Sequence, residues 1–213
     1  MSMSWLEWDH NAYYRRLLLA QLPARCDQVL DVGCGAGGFA AELARRAGQV
    51  DALDRSPAMI EAARRSAPPN VRCILADVLD EPLPADGYDA IVSVTALHHM
   101  PLETALPRLA AALRPGGVLA AVALPRTDLR AELPVELAAT CGHRLLGASF
   151  AVLRTVGHGS WYRPDPSRVV MPMLDGELTT RQVRRQVAAV LPGARVRRLM
   201  FWRYLLLWRK PAG

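Results

Sequence analysis

Apolar and polar positions follow two rhythms through the first 124 residues. Short apolar runs of strand length recur at Val29–Val32, Val50–Leu53, Val71–Ala76, Tyr88–Val94 and Val118–Ala123. Between them, apolar stripes at helical spacing predict helices over Gly38–Ala47, Pro57–Ser66 and Leu102–Leu113. Strands with little polar alternation are those buried on both faces, and strands alternating with helices give a parallel sheet. The punctuation fits. Gly48 stands just past the first crossover helix as its stop, and Pro57 suits the first turn of the second. Pro68-Pro69-Asn70 ends that helix, Pro107 should kink or split the next, and Leu113-Arg114-Pro115-Gly116-Gly117 turns the chain into the fifth strand. Ahead of the first strand, Trp8, Ala12, Arg15/Arg16 and Leu19 recur at helical spacing. They predict a helix over Trp5–Gln21, closed by Pro23 and placed to cover the mouth of a ligand site.

The regularity fades after Ala123. Leu129–Thr155 predicts one or two apolar helices interrupted near Gly142 and Gly147, and Gly157–Gly176 reads as loop. Thr179–Leu191 predicts a capped amphipathic helix, followed by strand-like runs at Ala194–Phe201 and Arg203–Arg209. The fold class is therefore α/β with a doubly wound sheet. A chain of 213 residues suits a single domain, 1–213, made of an N-terminal cap (1–24), a core (25–124), an inserted helical lid (125–178) and a C-terminal helix with hairpin (179–213).

Composition narrows the setting. No run of 18 apolar residues occurs, which excludes a membrane-spanning helix, and Met1-Ser2-Met3-Ser4-Trp5 lacks the charged start and apolar stretch of a signal peptide. Cys26, Cys34, Cys73 and Cys141 show no paired spacing, so we expect reduced thiols, no metal site and a cytoplasmic protein, monomeric or homodimeric. Of the 26 basic residues only Lys210 is a lysine, and the charge is uneven. Residues 1–124 hold 11 basic and 14 acidic side chains; residues 125–213 hold 15 and 6. That basic end is either a solvated face or an attraction to an acidic substrate, nucleic acid or membrane surface. Few aromatics interleave with the arginines, so no stable nucleic-acid partner is expected.

The chemistry concentrates in Val29-Leu30-Asp31-Val32-Gly33-Cys34-Gly35-Ala36-Gly37-Gly38-Phe39, where a strand meets a glycine turn and a helix. Gly33, Gly35 and Gly38 also match a dinucleotide fingerprint. Asp31 argues against that reading, because a carboxylate there repels phosphate and welcomes ammonium. The second strand ends at Asp54, 19 residues beyond Gly35, the spacing that presents a carboxylate to a ribose diol. Asp77 ends the third strand, and Thr95-Ala96-Leu97-His98-His99 follows the fourth. In this set and order the chain resembles the class I methyltransferases that use S-adenosylmethionine, closely over residues 25–124 and loosely beyond.

The resemblance implies a seven-stranded, mostly parallel sheet ending in an antiparallel hairpin. It implies S-adenosylmethionine held by Asp31 at the methionyl amine, by backbone of Gly33, Cys34 and Gly35, and by Asp54 at both ribose hydroxyls. Arg55 and Met59 would flank the adenine, with ordinary helix surface as the alternative. Asp77 would accept the adenine amino group, with the Val78 N–H facing the ring. Ser93 would touch the methionine part or shape the pocket. His98 and His99 lie where the reactive methyl is expected; His98 is the favoured base, against a purely packing role for both. Tyr13 and Tyr14 could close over the sulfonium from the first helix, with helix packing as the alternative, and with His10 there and Trp161 and Tyr162 in the lid they are candidates for binding the acceptor. The DNA amino-methyltransferase pattern is missing after the fourth strand. The expected activity is in-line methyl transfer to a small-molecule acceptor; a polyanion such as RNA, or binding without turnover, are the alternatives.

Overall fold

The computed structural model describes residues 8–127, 129–156 and 176–212. Seven strands form one sheet: β1 (Cys26–Val32), β2 (Ala47–Asp54), β3 (Val71–Leu75), β4 (Tyr88–Val94), β5 (Leu113–Ala123), β6 (Arg195–Leu199) and β7 (Arg203–Arg209). Their order is β3-β2-β1-β4-β5-β7-β6, with β1 to β5 mutually parallel and β7 antiparallel to both neighbours. The order reverses between β1 and β4. In open α/β sheets that reversal leaves a crevice beyond the carboxyl ends of the strands, where ligands bind.

Helices cover both faces, which explains the uninterrupted apolar strands. These are α1 (His10–Leu19), α2 (Gly38–Leu43), α3 (Pro57–Ser66), α4 (Leu102–Ala112), α5 (Leu129–Val156) and α6 (Thr180–Val190). Successive strand residues point to opposite faces. Leu119, Ala121 and Ala123 of β5 therefore pack with Leu106 and Leu109 of α4 and Val183 and Val187 of α6. Val118, Ala120 and Val122 pack with Leu18 of α1, Phe39 and Leu43 of α2, and Phe150 of α5.

Several boundaries differ from expectation, each for a local reason. α1 starts at His10, because the Asp9 side chain accepts the Asn11 and Ala12 N–H groups and caps it there. α2 ends at Leu43 rather than Ala47: the Asn70 amide donates to the Ala44 and Ala47 carbonyls at 2.9 and 3.1 Å and takes up the freed acceptors. Gly48 is then a strand residue and not a helix stop. A Cβ there would stand 2.9 Å from the Asp27 carbonyl oxygen, so glycine lets β2 approach β1. Pro107 does not split α4. It faces solvent, as does Glu103, whose carbonyl it deprives of a donor, so that carbonyl is open to solvation. The glycines at 142 and 147 do not interrupt α5, which is one helix of 28 residues. A Cβ on Gly142 would come 3.1 Å from Met200 Cε, so this glycine is a point of close packing against the β6–β7 connection. The turn Leu113–Gly117 is absorbed into β5 as an irregularity, since Tyr88 pairs with Leu113 and Ala90 with Val118. α6 carries the expected cap, a reciprocal box between Thr179 and Gln182. Among the described residues no helix is long and apolar enough to cross a membrane.

Candidate cofactor and acceptor site

The glycine loop leaves β1 at the sheet's reversal point. Gly33, Gly35 and Gly37 take φ of +72°, +55° and +80°, which side-chain-bearing residues rarely adopt. The Gly33 and Cys34 N–H groups both donate to the Leu53 carbonyl, at 2.8 and 3.0 Å, and the Gly35 N–H donates to Asp54 Oδ2 at 2.9 Å. These three donors are thus committed within the protein, and an ammonium ligand here would meet carbonyl oxygen. A Cβ on Gly35 would meet nothing within 4 Å, so this side of the loop is open. Cys34 is buried, and burial pushes its thiol up, so the neutral form persists.

Asp31 lies under this loop on the face covered by α1 and α2. It is 1% exposed, and its Oδ2 makes no hydrogen bond. Burial pushes the carboxyl up to about 7; Arg15 works against that shift, while Asp54 and Glu42 add to it. An unsatisfied buried carboxylate oxygen is costly, and a cationic partner removes the cost. Ser93 is also buried, and its hydroxyl donates to the Val32 carbonyl at 2.9 Å. The hydroxyl thus ties β4 to β1 beneath the loop.

Asp54 ends β2 with both oxygens in use. Oδ2 accepts from Gly35, and Oδ1 accepts the Ser56 N–H at 2.8 Å. Each oxygen retains acceptor capacity for a second donor. Ser56 caps α3 and Met59 is buried one turn inside it, whereas Arg55 is exposed. Asp77 is half-buried; its Oδ1 accepts the Leu79 N–H at 2.9 Å and shapes the turn after β3, and Val78 is buried. Asp31, Asp54 and Asp77 therefore all stand at the carboxyl edge, on β1, β2 and the loop after β3.

Beyond β4, Thr95 takes φ +54° and redirects the chain into a short 3₁₀ turn, Leu97–His99. A Cβ on Gly33 would collide with the Cβ of Ala96, so the glycine is what lets this segment lie against the loop. The His98 and His99 rings stand 3.9 Å apart, and both ring nitrogens of His98 are shielded from solvent. Burial, and then the nearby Arg55 charge, push His99 down, favouring the neutral ring.

The first helix meets α5 and the β6–β7 connection in an aromatic cluster. Tyr14 is buried and its hydroxyl donates to the Met200 carbonyl at 2.6 Å; burial pushes that hydroxyl up to about 12. Tyr14 is thus held in packing, the alternative to its expected place over the sulfonium. Tyr13 stays half-buried beside Trp8 and Tyr14. His10 Nε2 lies 3.0 Å from His143 Nδ1 and its ring stacks on Phe201. Burial, Arg203 and His143 hold it down near pKa 3, so it stays neutral. Phe201 and Trp202 take φ of +56° and +60°. Two bulky residues in left-handed conformation store strain, a feature that concentrates at functional sites. Sequence reasoning missed Arg15, His143 and Trp202: the first is hidden in an amphipathic stripe, the others in segments without a motif. Trp161 and Tyr162 lie outside the described residues. Among those described, no group of three or more His, Cys, Asp or Glu is gathered to hold a metal.

Comparison with known proteins decides the family. Residues 29–117 match the family model described as a methyltransferase domain. An uncharacterized methyltransferase of Mycobacterium tuberculosis is 38% identical over 206 residues, covering 96% of this chain and 98% of its own. The chain belongs to the class I S-adenosylmethionine-dependent methyltransferases. The malonyl-[acyl-carrier protein] O-methyltransferase of Enterobacter lignolyticus is 38% identical over 126 residues, 57% of this chain and 50% of that one. The crystal structure of an S-adenosylmethionine-dependent methyltransferase from Mesorhizobium loti shares the fold, with TM-score 0.62 at 19% identity over 92% of this chain and 96% of that one. The residues present fit the family's cofactor. The unpartnered Asp31 oxygen suits its ammonium group, and the open side of Gly35 leaves space beside the loop.

Proposed function

We propose that this methyltransferase acts on a small-molecule acceptor, at the crevice between the glycine loop and the segment after β4. The observation that supports this reading most is the contact of Gly33 with Ala96, which sets His98 and His99 beside the loop that takes the methionine part. S-adenosylmethionine supplies a methyl group on a sulfonium, already electrophilic enough that an aligned nucleophile needs little more help.

The chain's own residues then have four tasks. Asp31 and the loop carbonyls hold the ammonium end. Asp54 takes the ribose hydroxyls with the lone pairs left after Gly35 and Ser56, a charge-assisted pairing. Asp77, the Val78 N–H and Met59 receive the adenine, and the exposed Arg55 borders that side. His98 removes the proton from an acceptor hydroxyl or amine as attack proceeds, with neutral His99 packed on its ring. Tyr13, His10 and Trp202 would form the acceptor wall from α1 and the β6–β7 connection, and Trp161 and Tyr162 would add to it from the lid. The relative that methylates a malonyl-[acyl-carrier protein] is consistent with oxygen as an accepting atom. Mass spectrometry of metabolites, with and without the protein and S-adenosylmethionine, tests the reading. It predicts low-mass species heavier by one methyl; their absence across acceptor pools would contradict it.

A further inference from the structure

The N-terminal helix and α5 are joined by a hydrogen bond between two imidazoles. His10 Nε2 lies 3.0 Å from His143 Nδ1. Which ring donates is fixed from the far side of His10. Arg203, buried at the start of β7, donates Nη2 to Asn11 Oδ1 at 2.8 Å and Nη1 to the Phe201 carbonyl at 2.7 Å. The same Nη1 stands 3.4 Å from His10 Nδ1. A guanidinium has donors only and keeps its charge. His10 Nδ1 is therefore the acceptor, and the proton of this ring sits on Nε2. It follows that His10 donates to His143 Nδ1, and that a neutral His143 carries its own proton on Nε2.

That direction makes the bond intolerant of acid. A proton added to His143 goes to Nδ1, where it faces the His10 N–H. His10 cannot become the acceptor by moving its proton to Nδ1, because that proton would then face the Arg203 guanidinium. Nor does His10 take up the extra proton, since burial, then Arg203 and His143, hold its pKa near 3. The other charged and titratable groups around the pair are Asp9, Tyr13 and Tyr14 on α1, Arg198 on β6 and Arg144 beside His143. Asp9 is the one acid among them, and it accepts the Asn11 and Ala12 N–H groups at the start of α1. His143 itself is half-buried, within reach of solvent.

We propose that the His10–His143 bond is an acid-released latch between the N-terminal helix and α5, closed while His143 is neutral and opened when it is protonated. Imidazoles change charge in the range from about pH 5 to 8. The remaining contacts across the joint do not titrate: the Trp8 indole N–H donates to the His143 carbonyl at 3.4 Å, and the Trp8 ring meets Phe150 edge-on. Opening therefore loosens the joint without unfolding it. With His10, Tyr13 and Trp202 as the acceptor wall, the latch ties access to that wall to pH. This consequence rests on the acceptor reading above; the latch itself does not.

The test needs no acceptor, so its outcome is independent of that reading. Amide hydrogen exchange is measured on the parent, His143→Asn and His143→Leu at about pH 7.5 and about pH 5.5, corrected for the chemical exchange rate, with α4 as internal reference. On acidification the parent should lose roughly two- to tenfold protection in α1 and around His143, the worth of one hydrogen bond, while α4 is unchanged. In His143→Asn the side-chain oxygen stands where Nδ1 does and accepts from His10 without titrating, so protection should stay high at both pH values. His143→Leu should be equally loosened at both, and its intact α4 protection shows that it is folded. Ring-nitrogen NMR of the parent at the higher pH should place the proton of both histidines on Nε2. A parent indifferent to pH, or the same loss in His143→Asn as in the parent, would overturn the latch; so would a His143 proton on Nδ1 at the higher pH.

Discussion

The Asp54 carboxylate accepts the Gly35 N–H at 2.9 Å, so the residue proposed to hold the ribose also braces the loop proposed to hold the methionine part. Its other oxygen accepts from Ser56 at the start of α3. Binding and local structure are therefore coupled at this side chain. Asp54→Ala should cost about 2–4 kcal/mol of S-adenosylhomocysteine affinity, and also about 1–3 kcal/mol of folding stability, because two backbone donors lose their acceptor. Calorimetry and thermal melting check the two halves. Affinity lost with an unchanged melting temperature would mean that the brace carries no weight.

Asp31 predicts a pH dependence with a definite sign. Its folded pKa of about 7 lies above the unfolded value of 3.8. The folded state then holds a proton that the unfolded state releases, so stability is full below about pH 4 and declines as pH rises toward 7. Asp31→Asn removes that decline, and the variant should melt no lower than the parent at pH 8. Ligand binding has the opposite sign. An ammonium partner needs the carboxylate ionised, so S-adenosylhomocysteine affinity should weaken as pH falls below about 7, and the variant should lose this trend. A parent whose affinity is flat between pH 5 and 8 would contradict the assignment.

Gly33→Ala should be among the most damaging single changes in the loop. The alanine would adopt φ +72° at about 1–2 kcal/mol and would drive its methyl into Ala96. Displacing Ala96 also displaces the His98–His99 turn. The expected outcome is a melting temperature lower by several degrees, with turnover falling further than the loss of folded protein explains. Near-parental activity would show that the segment after β4 does not need this contact.

His98→Ala should lower turnover by about 10²–10⁴ and leave S-adenosylhomocysteine affinity nearly unchanged. The parent's activity should rise with pH as the base deprotonates, and the variant should lose that limb. If His98 only packs, the loss stays under about tenfold and the pH profile is unaltered, leaving alignment alone as the mechanism.

The strand–helix order, the glycine loop and the three strand-end aspartates were legible in the sequence because each is a local signal. A run such as Val29–Val32 meeting Gly33 needs no distant residue to be interpreted. The misread boundaries depend on distant partners. α2 ends early because Asn70 takes its carbonyls, and α5 runs through Gly142 because Met200 and Phe201 pack there. The site's less legible members follow the same logic. The sequence leaves Tyr14 between a ligand-facing and a packing role, and the partner that decides it, Met200, is 186 residues away. Arg15 read as one more position in an amphipathic stripe, and only the fold brings it to Asp31 and Glu42.

A small-molecule acceptor competes with a polyanion, and the arginine-rich α6 and β6 give the latter a physical basis. Arg181, Arg185, Arg195 and Arg197 are exposed on these two elements, where a polyanion could reach them. Incubating the protein with methyl-labelled S-adenosylmethionine and a cell extract, then separating small molecules, RNA and protein, measures where the methyl group goes. Label should appear in the small-molecule fraction and be lost with Asp31→Asn. Label confined to the RNA or protein fraction would contradict the small-molecule reading.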